Sequence, residues 1–100
     1  MIRAKFNIRK DSFTIEGHSG SAEAVQDIIC AAVSSAAYMA VNTITEILGV
    51  DVEASVRDGY MKATISGSNQ AATDILRGLE LHISELAKDY PDFIKIITEV

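Results

Sequence analysis

Apolar residues alternate with polar or charged residues in four short stretches of the chain. Residues 2–9 and 13–16 flank the polar turn 10–12, and residues 52–57 and 61–66 flank Asp58-Gly59, a dipeptide typical of hairpin turns. Because successive side chains of a strand point to opposite faces of the sheet, this alternation predicts four half-buried strands arranged as two hairpins. The last segment, 93–100, is rich in apolar residues and predicts a fifth strand.

Two other segments repeat their apolar residues every three or four positions, which predicts helices. The first runs from about Asp27 to Leu48, is rich in alanine, and is followed by Gly49 as a C-cap candidate. The second places its apolar residues on one face between positions 72 and 90; Gly67-Ser68-Asn69 offers an N-cap before it, and Pro91 ends it.

The element order β-β-α-β-β-α-β within residues 1–100 predicts one domain of the α+β class. We expect two layers, with two helices on one face of a mostly antiparallel five-stranded sheet. A 100-residue chain buries a modest share of its surface, so a partner chain is expected to cover part of the apolar area, most commonly as a homodimer. The small residues of the first helix suit close packing either on the sheet or against such a partner.

The formal net charge of −5 argues against a nucleic-acid binder and is compatible with a basic substrate or partner. The single cysteine cannot form an intrachain disulfide bond. Residues 1–9 lack the continuous apolar stretch of a signal peptide, and residues 28–41 are too short to span a bilayer, so we expect a cytoplasmic protein without membrane partners. No glycine-rich phosphate loop and no zinc-ligand spacing occur, so neither a cofactor nor a metal is expected.

Cys30 and His18 are the candidates for chemistry. His18 follows Gly17 at the end of the second predicted strand, and Cys30 lies near the start of the next helix. Strand ends and helix starts commonly line one cleft, and the intervening loop allows the two side chains to meet. A lone cysteine on an alanine-rich helix is more often a small buried residue with no catalytic task. His82, within the second helix, is expected to be a surface or boundary residue.

The position of the helix start decides how Cys30 could be activated. If Asp27 is the N-cap, Cys30 lies in the first turn, where the helix dipole favours the thiolate and free N–H groups could hold an oxyanion. If Ser21 caps a helix that starts at Ala22, Cys30 lies more than two turns in, and the dipole contributes almost nothing. Ser34, one turn beyond Cys30, either contacts substrate or bonds a backbone carbonyl of its own helix.

The segment Gly17-His18, followed by Asp27-Ile28-Ile29-Cys30-Ala31-Ala32-Val33-Ser34, resembles the signature of the bacterial ribosomal-processing cysteine protease family. The resemblance extends to chain length and element order. It implies a homodimeric endopeptidase that removes the N-terminal extension of large-subunit ribosomal protein twenty-seven. It further implies that His18 is the general base and Cys30 the nucleophile, with Gly17, Asp27, Ala31 and Ser34 in supporting roles.

Three hypotheses compete for Cys30. The first is a cysteine endopeptidase that uses a Cys30–His18 dyad. The second is a non-catalytic, dimeric ribosome-assembly or adaptor module in which Cys30 is a buried structural residue. The third, a redox-sensing thiol, is weaker because the chain has no second cysteine to resolve the oxidised sulfur.

Overall fold

The computed structural model describes residues 1–17 and 24–100. His18 and Ser21 therefore lie outside the described residues, as do the side chains of residues 24–27. In chain order the elements are β1 (Ile2–Asn7), β2 (Ser12–Glu16), α1 (Ala24–Asn42), a π-helical segment (Thr43–Ile47), β3 (Val52–Arg57), β4 (Tyr60–Ile65), α2 (Gln70–Asp89) and β5 (Ile94–Glu99). The predicted α+β class and element order are confirmed.

The five strands form one mixed sheet in the order β3-β4-β2-β1-β5. Three of the four strand pairs are antiparallel, and β1 pairs with β5 in parallel. The parallel pair follows from the chain path, because α2 crosses the sheet before the chain enters β5. As a result the N-terminal strand lies inside the sheet, between β2 and β5.

One face of the sheet carries the hydrophobic core. Along β1 buried and exposed residues alternate, as they do along β4 on the same face. Phe6 and Phe13 lie opposite each other in the β1–β2 register and are almost fully buried, with ring centroids 5.9 Å apart. Both helices add buried apolar residues to this cluster, among them Val33 and Ile83. The sheet therefore has one covered face, as predicted, and one open face.

The start of α1 differs from the N-cap prediction at Asp27. Ala24 is already helical, so Asp27 lies inside α1 and not at its N-cap. Alanine and glutamine are good helix formers, and nothing in residues 24–26 breaks a helix. At the other predicted cap the structure agrees with the sequence, because the Asn69 side chain accepts a hydrogen bond of 2.9 Å from the Ala72 N–H.

Beyond Asn42 the helix continues through the π-helical segment to Ile47. The apolar helical stretch is therefore longer than residues 28–41, the range that the sequence analysis judged too short to span a bilayer. By length and composition, Ile28–Ile47 is apolar enough to cross a bilayer. One such segment is weak evidence for a membrane span, since core helices of soluble proteins also meet this criterion. About a third of this segment is buried inside the domain, including Val33, Ala37 and Ile44 in the core.

Candidate active site

A cleft of about 380 Å³ opens beside α1, at the end of β2 and the turn of the β3–β4 hairpin. Its apolar walls come from strands and from α1, and its polar groups come from the strand ends, the turn and the α1 residues Ser34 and Tyr38. The residues that line it are Ile2, Ile15, Glu16, Gly17, Cys30, Val33, Ser34, Ala37, Tyr38, Val56, Arg57, Asp58, Gly59, Tyr60 and Met61. A concave site that combines apolar walls with several polar groups can bind and orient a ligand.

Cys30 and Ser34 both line this cleft from the same side of α1. They are one helical turn apart, which places them on one face of the helix. Cys30 is 9% exposed, whereas Ser34 is exposed, so the thiol lies deeper in the cleft wall than the hydroxyl. Ala31 is exposed but does not line the cleft. The structure thus brings Gly17, Cys30 and Ser34 together and leaves the Ala31 side chain outside the group.

Gly17 is held by backbone contacts on two sides. Its N–H donates a hydrogen bond of 3.0 Å to the carbonyl oxygen of Gly59 in the β3–β4 turn. A Cβ atom at Gly17 would lie 2.5 Å from the carbonyl oxygen of Met1 and 2.7 Å from Cα of Ile2. Its φ of 149° is also one that L side chains rarely adopt. Only glycine fits here, so the backbone position of Gly17 at the edge of the cleft is fixed.

The β3–β4 hairpin contributes side chains that the sequence did not indicate. The Arg57 guanidinium carbon lies 3.9 Å from the centroid of the Tyr60 ring, and both residues line the cleft. Asp58-Gly59 was recognised as a turn, but the sequence carries no signal that β4 pairs with β2. That pairing places Tyr60 opposite Glu16, so the turn lies beside Gly17. Tyr38, about four turns along α1 from Ala24, was likewise not assigned to the site.

The first-turn mechanism for activating Cys30 is wrong for this structure. Cys30 is the seventh residue of α1 counted from Ala24, and the influence of the helix dipole fades beyond the first turn. Within a continuous α-helix each N–H is directed to the carbonyl four residues earlier. The N–H groups of residues 30 and 31 are therefore engaged in the helix and are not available for an oxyanion.

A second depression, of about 580 Å³, runs between the outer sides of α1 and α2. Small residues line it on both helices, including Ala32, Ala36 and Gly78. Met39 lines it too and is 66% exposed, and His82 lies at its edge on the surface of α2. The polar groups of this groove are Ser35, Thr43 and His82, and it contains no cysteine, which distinguishes it from the cleft at Cys30. In residues 1–17 and 24–100 no cluster of three or more His, Cys, Asp or Glu suited to a metal ion is found.

Several solved structures share this fold over nearly their whole length. SMU.848 from Streptococcus mutans is 29% identical, with a TM-score of 0.83 over 99% of this chain and 94% of that chain. A ribosomal processing protease Prp from S. aureus was solved with a substrate peptide, and its TM-score is 0.90 at 19% identity. The match covers 99% of this chain and 100% of that chain. The same protease with a covalently linked product peptide gives 0.88 at 20% identity. At such identities the S. aureus structures support the fold alone.

Sequence similarity supports the chemistry. The ribosomal processing cysteine protease Prp of Bacillus subtilis (strain 168) is 26% identical over 96 residues, which cover 89% of this chain and 86% of the relative. Residues 1–95 match the family described as cysteine protease Prp. A family of hydrolases with a cysteine nucleophile agrees with a chain whose sole cysteine lines the cleft. The chain belongs to the Prp family of cysteine proteases.

Proposed function

We propose that this protease removes the N-terminal extension of large-subunit ribosomal protein twenty-seven, with Cys30 and His18 as a catalytic dyad. The observation that carries the proposal is that Cys30 and Gly17 line the same cleft. His18 is bonded to Gly17, whose backbone is fixed by Met1, Ile2 and Gly59. Membership of a protease family favours catalysis over the adaptor hypothesis, in which Cys30 would be structural only.

In the proposed reaction His18 accepts the proton of the Cys30 thiol, and the thiolate attacks the scissile carbonyl carbon. Collapse of the tetrahedral intermediate expels the amine of the downstream segment, which takes its proton from His18. Water then hydrolyses the thioester and regenerates the thiol. Because the N–H groups of residues 30 and 31 are engaged in α1, we assign stabilisation of the oxyanion to side chains, with the exposed Ser34 hydroxyl as the described candidate.

The cleft also supports a substrate with bulky apolar residues before the scissile bond. Apolar walls from Ile15, Val33 and Met61 surround the space beside Cys30. Tyr38 and Tyr60 add aromatic surface. The segment that the family resemblance implies, rich in leucine and paired aromatics, would bury such side chains here.

The test incubates the protein with the extended ribosomal protein and follows its mass. Wild type should shorten the substrate, and Cys30→Ala should leave it intact while melting within a few degrees of wild type. Ser34→Ala should lower kcat with little change in KM if its hydroxyl serves the oxyanion. Ala31→Ser is the matched control, because Ala31 is exposed on the same helix and does not line the cleft. Cleavage by Cys30→Ala at the wild-type rate would refute the proposal.

A second experiment separates the dyad from an isolated thiol. Alkylation by iodoacetamide below about pH 7 reports a thiolate, since the neutral thiol reacts slowly. Wild type should react readily, and His18→Ala should react only as pH approaches the ordinary titration range of a cysteine. His82→Ala is the control, since His82 lies on α2 away from the cleft. Equal rates for wild type and His18→Ala would remove His18 from the mechanism.

We further propose that two copies associate through the groove between α1 and α2. Ala32, Ala36 and Gly78 allow another backbone to approach closely, and the 66% exposed Met39 would be buried. Met39→Asp should convert a dimer to a monomer in analytical ultracentrifugation. Val100→Asp, at an 88% exposed residue of the C-terminus, is the matched control. A dimer unchanged by Met39→Asp would place the interface elsewhere.

For localisation we propose the cytoplasm, where a thiol nucleophile stays reduced. Fractionation of cells that express a tagged copy should place the protein in the soluble fraction. Recovery of the protein in the membrane fraction, resistant to high salt, would instead assign a membrane role to Ile28–Ile47.

A further inference from the structure

The open face of the sheet concentrates positive charge. Residues paired in register share a face, so Arg57, Tyr60, Glu16, Arg3 and Lys95 form one continuous row across all five strands. The neighbouring row adds Lys62 and Lys5. Five of the chain's nine Lys and Arg residues thus lie on this face, together with three of its fourteen Asp and Glu residues: Glu16, Glu53 and Glu99. The third row runs from Glu53 through Thr64, Ser12 and Asn7 to Glu99, and we call these three rows the open sheet face.

The charges of this face are only partly balanced within the chain. Lys5 forms an ion pair of 3.4 Å with Glu99, and among the described residues no other cation of this face has a carboxylate within 4.0 Å. Arg3 and Lys95 lie directly opposite each other on parallel strands. Like charges in that position destabilise a sheet. Glu16 lies opposite Arg3 on the other side and supplies one negative charge to this row of three cations, so a bound anion would complete the balance.

We propose that the open sheet face binds the phosphodiester backbone of single-stranded RNA. The overall charge of −5 led to the opposite expectation, but that expectation treats the charge as evenly spread. Here the face carries an excess of cations, and the acidic groups that outweigh it lie elsewhere on the chain. From Arg57 on β3 to Lys95 on β5 the cations extend over four strand spacings, about 19 Å, which suits an extended strand of phosphates.

The chemistry of the face favours RNA over other anionic partners. Hydroxyl groups of Thr14 and Ser55 flank Lys62 in its row, and Ser and Thr hydroxyls commonly bind phosphate beside Lys and Arg. A membrane surface would call for exposed apolar side chains to insert, and in the row of Lys62 and Lys5 the apolar member is Ile97 alone.

The test measures fluorescence anisotropy of a labelled oligouridylate of about 12 nucleotides with the full-length protein. With four cations at phosphates, affinity should fall roughly 50-fold between about 50 and 200 mM salt, the usual dependence for single strands. Lys62→Glu should weaken binding roughly tenfold and reduce the slope of log affinity against log salt. Lys88→Glu, the same charge change on the outer surface of α2, should change affinity less than about twofold.

Three results would overturn the proposal. The first is the absence of RNA binding by wild type at about 50 mM salt. The second is an equal loss of affinity in Lys62→Glu and Lys88→Glu, which would indicate a response to net charge alone. The third is binding to phosphatidylglycerol vesicles, lost in Lys62→Glu, without binding to RNA. Because Lys62 is exposed on β4, the variant should fold, and its melting temperature checks this. None of these results depends on the proposed protease substrate.

Discussion

Replacing Gly17 by alanine tests the backbone geometry at the edge of the cleft. The added Cβ would lie 2.5 Å from the carbonyl oxygen of Met1 and 2.7 Å from Cα of Ile2. Neither neighbour gives way easily, because Ile2 is 2% exposed and its N–H donates a hydrogen bond of 2.8 Å to the Phe93 carbonyl. Relief of the clash therefore requires β1 to shift at its first residue, or the chain after β2 to move away from the cleft.

Two costs add at this position. A side chain at a φ of 149° places the residue in a sparsely populated backbone region, which costs about 1–3 kcal/mol. Overpacking against a fixed neighbour costs about 1–3 kcal/mol more. Together they reach about 2–6 kcal/mol, a large share of the total stability of about 5–15 kcal/mol for a small domain. At about 4–8 °C per kcal/mol, the melting temperature should fall by roughly 8 °C or more.

Guanidinium denaturation of Gly17→Ala and Gly67→Ala separates the two costs. Gly67 also has a positive φ, of 80°, but a Cβ there meets no atom within 4 Å. Gly67→Ala should therefore show the backbone cost alone, and Gly17→Ala should lose at least about 1 kcal/mol more. Peptide cleavage should also fall in Gly17→Ala. If the two variants lose equal stability, the steric argument at Gly17 is refuted.

Three further changes test the core, a cap and the cleft. Phe13→Ala should lose about 3–5 kcal/mol in denaturant titration, because Phe13 is 1% exposed against Phe6; a loss under about 1 kcal/mol would contradict its place in the core. Asn69→Ala should lose about 1 kcal/mol with the cap of α2, and Asn69→Ser should restore most of it; equal melting temperatures of the two variants would argue against the cap. Tyr60→Ala should raise KM for the peptide more than it lowers kcat, since Tyr60 lines the cleft without being assigned to the reacting groups; an effect confined to kcat would overturn that assignment.

Local patterns in the sequence were sufficient to predict the elements. Alternation over residues 2–9 and 61–66 identified β1 and β4, because half-buried strands bury every second residue. The helix period and the Asn69 cap identified α2. These patterns could not predict the order of the strands in the sheet. The alternation within a strand shows which residues are buried, but it does not show which strand lies next to it. The hairpin side of the cleft, with Arg57 and Tyr60, depends on that order and was therefore missed.

The N-terminal end of α1 shows a different limit of sequence reasoning. Asp27 has the residue type of an N-cap, but so does Ser21, and intrinsic propensities over residues 22–26 do not oppose a helix. The choice between these starts depends on tertiary packing around the strand ends. The family signature identified Cys30 without resolving that choice, because it specifies residue types and spacing and not the conformation between them.

Because α1 starts before Cys30, groups other than the helix N-terminus must activate the Cys30 thiol. With Ala24 already helical, Cys30 receives little help from the helix dipole, and the backbone N–H groups beside it are occupied. Under the proposed dyad, His18 must then generate the thiolate, and side chains such as Ser34 must hold the oxyanion. A misplacement of a catalytic group by about 1 Å can cost about a hundredfold in rate. This gives a reason for the close backbone contacts that fix Gly17. Met1, Ile2 and Gly59 fix the point from which the base extends, so that positioning compensates for the missing help from the helix end.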